Sequence, residues 1–369
     1  MKIMKKLQLV IVALWIMTIA VYISKTTRIP DVERNSEMER PGKRLDTLEE
    51  ALGKITSDSS KSTVLYLSSQ ELEGRMSGKK GNDDAAVFIK GNLEKLGYQT
   101  RYQKFNIERM NPGPKKEMGE NFTSNVCAWS LGSDDDLRKE VVVVGAHFDH
   151  IGYGPRMSMQ PGKARVHPGA DDNASGTAAL LEIAKALSNV EKKRTLLFIA
   201  FSAEEMGLLG SRHYVENPLL PENEPNISNH VFMLNMDMVG HLKNVKRPTS
   251  FSDISIDINR HIGELGEKYP FAKLITSRTS GGSDHASFYN KKVPVAFLHT
   301  GGHEYYHTPQ DTPESLNYEG LEKVSKYAAE LALRVCNDRK KPAFNHNNFK
   351  KMSSDHDHGI TKFQQGEEK

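Results

Sequence analysis

Continuous apolar runs and amphipathic stretches take turns along this chain from about residue 62 to residue 336. Residues 141–146, 195–201, 231–236 and 293–299 are nearly unbroken runs rich in β-branched and aromatic side chains. Such runs predict central strands covered on both faces. Between them the period becomes helical. Residues 175–190 align Ala178, Leu181, Ala184 and Leu187, and residues 320–336 align Leu321, Val324, Ala328, Leu331 and Val335. Further helices are expected over 84–96, closed by Gly97, and near 256–269. Two more strands are expected in YQTRYQKFNI and NVCAWSLG. Strands alternating with helices indicate an α/β sandwich. No internal repeat interrupts the pattern.

The ends follow a different pattern. Lys2, Lys5 and Lys6 precede an almost wholly apolar stretch over residues 7–23. Two readings of residues 1–24 stand: a cleaved signal peptide or an uncleaved membrane anchor. Either exports the remainder, to the periplasm or the extracellular side, because the lysines hold the N-terminus inside. Residues 25–60 lack an apolar period and are expected to be a polar linker ending in a short helix near 45–55. The folded domain is expected over 61–338, followed by a disordered polar tail over 339–369.

Composition narrows the partners. The net charge is only +3 in 369 residues, and no stretch concentrates basic residues as a nucleic-acid face would. Cys127 and Cys336 form no CxxC pair, so any metal must be held by histidines and carboxylates. The two cysteines are expected to be separate buried thiols.

The candidate chemistry sits where the apolar runs stop. His147 follows the first run, Glu204 and Glu205 the second, Asp237 the third, and His307 comes shortly after the fourth. In open α/β sheets, ligands bind at the carboxyl ends of strands. Each feature also has a plain structural reading. His147 and Asp149, two apart, are a common surface pair; on an extended segment they share a face, and the Asp can then fix the imidazole tautomer. Asp171, Asp172 and Asn173 stand where a helix cap would stand. Glu204 and Glu205 read as a solvated loop, or as a metal ligand beside a general base, since adjacent carboxylates repel unless a cation offsets them. Asp237, bracketed by apolar residues, must be paired or metal-bound if buried. HEYYH over 303–307 matches a zinc-helix motif, but the surrounding glycines and Pro309 place it on a loop, so His307 is expected to act singly, with Asp311 orienting it or capping the next segment. Ser283, Asp284 and His285 lack a nucleophile elbow and are kept as a substrate-loop or supporting element.

Six motifs occur in one order: AHFDHIG, PGADDNASG, AFSAEEMGLLGS, LNMDMVG, SDHASF and YYHTPQDT. Together they resemble the M28 family of zinc metallopeptidases, which includes bacterial aminopeptidases; the likeness runs from about residue 65 to 335. The resemblance implies a single catalytic domain with a mixed, mostly parallel central sheet sandwiched by helices. It implies two zinc ions per chain: His147 and Asp237 on one, Glu205 and His307 on the other, and Asp172 bridging. Glu204 matches the general base and Asp149 the partner of His147. A cis peptide is implied after Asp172. The implied reaction is removal of N-terminal residues from peptide substrates. Glutaminyl-peptide cyclotransferase, a one-zinc relative on the same fold, is the main rival, and the retained His147 argues against it. A carboxypeptidase or dipeptidase would need a cation such as Arg156 or Arg278 for the substrate carboxylate. A non-catalytic receptor-like ectodomain would have lost ligands that this chain retains.

Overall fold

All four apolar runs form strands, and the two flanking segments add a pair. These are β1 (Gln99–Asn106), β2 (Phe122–Ser130), β3 (Val141–His147), β4 (Thr195–Phe201), β5 (His230–Met236) and β6 (Val295–Leu298). They make one sheet in the order β1-β2-β4-β3-β5-β6. β4, β3, β5 and β6 are mutually parallel, while β2 joins β4, and β1 joins β2, antiparallel. The sheet is therefore mixed and mostly parallel. The computed structural model describes residues 44–107, 122–154, 157–160, 162, 164–219, 226–242, 255–271, 282–346 and 349. The apolar segment 7–23, Arg156 and Arg278 lie outside them. Among the described residues no helix is long and apolar enough to cross a membrane.

Every residue of β3, β4 and β5 is buried. Their side chains still alternate between faces, as strand geometry requires. Val142, Val144, Leu196, Phe198 and Leu234 enter one core; Val143, Leu197, Ile199 and Met233 enter another. Helices α1 (Leu48–Gly53), α2 (Ser57–Leu67), α3 (Lys80–Lys95), α4 (Gly176–Leu187), α6 (Ile256–Lys268) and α8 (Tyr318–Asn337) cover the first face. Helices α5 (Leu209–Glu216) and α7 (His285–Asn290) cover the second. Cys127 and Cys336 are free, buried thiols, one in each core.

Two boundaries differ from the sequence reading. The expected linker over 25–60 stops short of 60: α1 is the short helix expected near 45–55, but α2 already begins at Ser57, and Ala51, Leu52 and Ile55 belong to the first core. Thr47 and Glu50 form a reciprocal capping box, with Glu50 N donating to Thr47 Oγ1 (3.2 Å) and Thr47 N to Glu50 Oε2 (2.8 Å). The tail also departs from expectation at its start. Phe344 and Phe349 pack at a tilt against Tyr289, with ring centroids 5.4 and 5.3 Å away. Both rings pack, partly buried, against the second core.

The order of the strands fixes where a site can form. From β3 the chain passes through α4 to β4 on one side, then through α5 to β5 on the other. The connections diverge at the carboxyl end of β3 and leave a crevice there. His147 is the last residue of β3, and the segments after β4 and β5 carry Glu204, Glu205 and Asp237 to the same rim.

Candidate metal centre

His147, Asp149, Asp172, Glu204, Glu205, Asp237 and His307 are all buried at this rim. Potential ligand atoms of His147, Glu204 and Asp237 lie within 4.8 Å of one another, as do those of His150, Asp172, Glu205 and His307. Asp172 joins the two groups. Its Oδ1 is 3.3 Å from His147 Nε2, and its Oδ2 is 3.1 Å from His307 Nε2. His147 Nε2 also approaches Asp237 Oδ1 (3.4 Å), and His307 Nε2 approaches Glu205 Oε2 (3.1 Å). One side of Asp172 thus faces His147 and further carboxylates, and the other faces His307, His150 and Glu205.

The local backbone is unusual beside several of these groups. Ala203, Met238 and His307 have φ of 58°, 51° and 51°, in the left-handed region that non-glycine residues seldom adopt. Such conformations cluster at functional sites. The Asp172–Asn173 peptide is cis. Asn173, rather than either aspartate, does the capping work before α4: its Oδ1 accepts from Gly176 N (2.9 Å) and Met238 N (3.2 Å). A Cβ at Gly176 would meet Met236 O at 2.5 Å, so only glycine lets α4 start this close to the end of β5.

Supporting contacts differ in detail from the sequence reading. Asp149 lies beside His147, but the shorter approach of His147 Nδ1 is to the Asp149 carbonyl (3.3 Å) rather than to its carboxylate (3.7 Å). The Asp149 carboxylate instead accepts from Glu204 N (3.1 Å) and Glu205 N (3.3 Å), fixing the turn that carries both glutamates. Asp311 neither orients the His307 ring nor caps the following segment. Its two oxygens accept from Asp171 N (2.9 Å) and Asp172 N (3.0 Å), so it positions Asp172 from 139 positions away. The His307 ring is oriented by Met157 O, 3.0 Å from Nδ1.

Ser283, Asp284 and His285 do not form a nucleophilic relay. Ser283 Oγ accepts from Asn235 Nδ2 (2.8 Å), and His285 stacks on Phe297 with centroids 4.3 Å apart and no hydrogen bond from either ring nitrogen. Burial pushes the Asp284 carboxyl up to about 7, against the opposing pull of His147. Residues 303–307 lie in turns rather than an α-helix, so HEYYH does not present two histidines on one helical face.

Sequence reasoning missed three residues. His150 Nδ1 is 2.7 Å from Glu205 Oε1. Arg75, fully buried, donates Nε to Phe148 O (2.8 Å), Nη1 to Pro168 O (2.7 Å) and Leu67 O, and Nη2 to Gly169 O (2.9 Å). Met157 contributes only its carbonyl, which no side-chain pattern could reveal. A second histidine in AHFDHIG and an arginine in a glycine-rich turn were the available signals for the other two. His303 and His241 form a separate group with Asp171: His303 Nε2 is 3.0 Å from Asp171 Oδ2, and the two imidazoles stack at 4.0 Å. In stacked rings the nitrogen lone pairs run side by side rather than converging, so this group braces loops.

The electrostatics split the adjacent glutamates. Burial pushes the Glu204 carboxyl well above the usual range; His147 pulls it down, and Glu205 and Asp237 push it further up. Burial would raise Glu205 as well, but His307 and His150 overcome that and hold it well below the usual range. Burial would likewise raise Asp172, and His147 and His307 hold it low. Burial opposes protonation of His147 and His307; the carboxylates outweigh it and push both imidazoles well above their ordinary value. Glu204 Oε1, Glu205 Oε2, Asp237 Oδ1 and His147 Nε2 are buried without a hydrogen bond. Crowded, buried carboxylates with orphaned oxygens need positive charge among them. Imidazole and carboxylate donors on either side of a shared aspartate suit two divalent cations.

Comparison with known proteins identifies the family. The pattern of peptidase family M28 matches residues 125–358, more than half of the chain. Aminopeptidase YwaD of Bacillus subtilis is 33% identical over 234 residues, covering 58% of this chain and 46% of that protein. A probable leucine aminopeptidase of Arthroderma otae is 30% identical over 245 residues, 60% of this chain and 62% of that one. The chain thus spans less than two thirds of either relative. Among solved structures, the zinc aminopeptidase BSAP from Bacillus subtilis superposes with a TM-score of 0.62 at 19% identity, covering 81% of this chain and 98% of that one. LapA of Legionella gives 0.61 at 24% identity, covering 82% and 80%. At such identities the superpositions speak to the fold alone. The matched pattern, carried by the segments that converge on the rim, makes this chain a member of peptidase family M28.

Proposed function

We propose that the protein is a zinc-dependent aminopeptidase that binds two zinc ions and cleaves N-terminal residues from peptides. The observation that carries this reading is Asp172, whose two oxygens face different imidazole–carboxylate groups. His147 and Asp237 would hold one ion and Glu205 and His307 the other, with Asp172 placed between the two groups. The aminopeptidase names of the curated relatives support the same class. Zinc bound there supplies Lewis-acid chemistry, polarising a carbonyl and making water more acidic.

The chain's own contribution is proton handling and orientation. Glu204 is the general base: its carboxyl is buried, and Oε1 has no hydrogen-bond partner, so it is free to take a proton from the attacking water. The same oxygen then returns that proton to the departing amine. Asp149 holds this glutamate by its main-chain N–H, and Asp311 holds Asp172 in the same way. The carboxylate-rich rim favours the ammonium of a free peptide N-terminus over a blocked one. Export through the N-terminal segment belongs to the proposal and rests on the sequence pattern alone.

The test is a substrate panel with the purified protein: aminoacyl peptides, their N-acetylated forms, and peptides beginning with glutamine. Release of the first residue from free-amine peptides only is expected. Cyclisation of the glutamine peptides with loss of ammonia, without hydrolysis of the others, would overturn the reading in favour of a cyclotransferase.

A further inference from the structure

His150 is buried, and only one of its ring nitrogens has a partner. That nitrogen, Nδ1, is 2.7 Å from Glu205 Oε1, whereas His307 Nε2 faces the other oxygen, Oε2, at 3.1 Å. Nδ1 is 3.8 Å from the nearer oxygen of Asp172. A carboxylate only accepts, so Nδ1 carries the hydrogen and donates it. The ring has little freedom to leave. A Cβ on Gly169 would come within 2.6 Å of His150 Cγ and Cδ2, so the imidazole lies directly against that glycine. It also meets the His307 ring edge-on, with centroids 5.4 Å apart.

We infer that His150 is the positioning residue of the second cation site: its Nδ1–H occupies Glu205 Oε1 and thereby presents Oε2 alone to the ion. This rests on the proposal that Asp172, Glu205 and His307 hold that ion. Asp149 fixes the Glu205 main chain, and His150 fixes the far end of its side chain. Without the second hold, the carboxylate is free to rotate, and the ion loses a pre-oriented donor. Partners of this kind typically contribute roughly 10–100-fold in metal affinity.

The experiment measures zinc binding by the purified full chain against a chromophoric chelator, for wild type, His150→Ala, His150→Asn and His150→Gln. Circular dichroism checks that each variant folds. The amide nitrogen of asparagine falls near the position of Nδ1, and that of glutamine nearer Nε2. The expected result is two ions in wild type, one of them bound roughly 10–100-fold more weakly in H150A and H150Q, and substantial recovery in H150N. Unchanged affinities in H150A overturn the inference alone. Equal loss in H150A and H150N also overturns it, in favour of a direct ligand or a merely structural ring. A wild-type chain that takes up a single ion overturns the two-site reading, and this inference with it.

Discussion

Glu204 and Glu205 are neighbours in sequence with opposite environments. Burial and the surrounding carboxylates raise the first; His307 and His150 hold the second low despite its burial. Groups whose surroundings separate their affinities for protons divide acid–base work between them. Glu204→Gln keeps the shape and removes the base. It is expected to retain the zinc content of wild type while turnover falls roughly 10²–10⁴-fold; near-normal turnover would remove Glu204 from the role. The pair itself was legible only in company: alone it reads equally as a solvated loop, but it follows a buried run just as His147 and Asp237 follow theirs. Their partners were less so. The Asp149 carboxylate grips main-chain N–H groups 55 and 56 positions away, and Asp311 those of Asp171 and Asp172. Backbone donors carry no side-chain signature, so only the folded chain identifies them.

At the scale of elements, the central strands were readable because complete burial leaves little choice of residue. The start of the domain was not. Residues 48–67 are mostly polar, and α1 and α2 reach the core through few side chains, among them Ala51, Leu52, Val64 and Leu67. Arg75 ties such segments to the site: the ends of α2 and β3 and the turn before Asp171 all meet its guanidinium. Burial draws its pKa down to about 10, opposed by Asp172 and Asp311, which leaves it charged at neutral pH. Arg75→Met strips donors from four buried carbonyls, each worth roughly 1–3 kcal/mol, so a loss of about 3 kcal/mol or more in urea unfolding is expected. A change under 1 kcal/mol would mean that these carbonyls find other donors. A second element-level contact joins α6 to α8, where Glu330 meets Lys268 (2.6 Å) and Arg334 (3.1 Å). Burial would raise this carboxyl, but the two cations hold it below its ordinary value. Its contribution is therefore present above the ordinary glutamate pKa of about 4.3 and is lost as the pH falls through the lower folded value. Glu330→Gln is expected to be less stable than wild type by about 1 kcal/mol at pH 6, with the gap closing toward pH 3. A gap that widens on acidification would contradict the assignment.

For the whole molecule, the centre is where separate segments of the chain are forced together with like charges. His147 ends β3, Asp172 precedes α4, Glu205 follows β4, Asp237 follows β5, and His307 arrives from beyond β6. His147 and His307 both contact Asp172, and Asp237 and Glu205 contact those two imidazoles, so none of these segments can move alone without disturbing a contact in the chain of groups through Asp172. The proposed zinc ions should therefore stabilise the entire domain rather than a loop. An ion present at a hundred times its dissociation constant adds about 2.7 kcal/mol. Chelation should lower the melting temperature by roughly 5 °C or more, given about 2–4 °C per kcal/mol for large domains. The size of that drop should depend on pH in a definite direction. In the metal-free protein, protons on His147 and His307 partly offset the carboxylates, and both imidazoles are raised above the ordinary value of about 6.5. A raised histidine contributes stability below its unfolded pKa and loses it as the pH rises through the folded one. Zinc, conversely, binds better as its ligands lose protons. The gap between zinc-loaded and chelated melting temperatures should thus be small near pH 6 and grow toward pH 8. Glu204→Gln should show the same gap as wild type, because Glu204 is not a proposed ligand. Asp172→Asn should lose most of it, because one side chain serves both ions. A gap that shrinks with rising pH, or persists undiminished in Asp172→Asn, would place the stabilising ions elsewhere in the molecule.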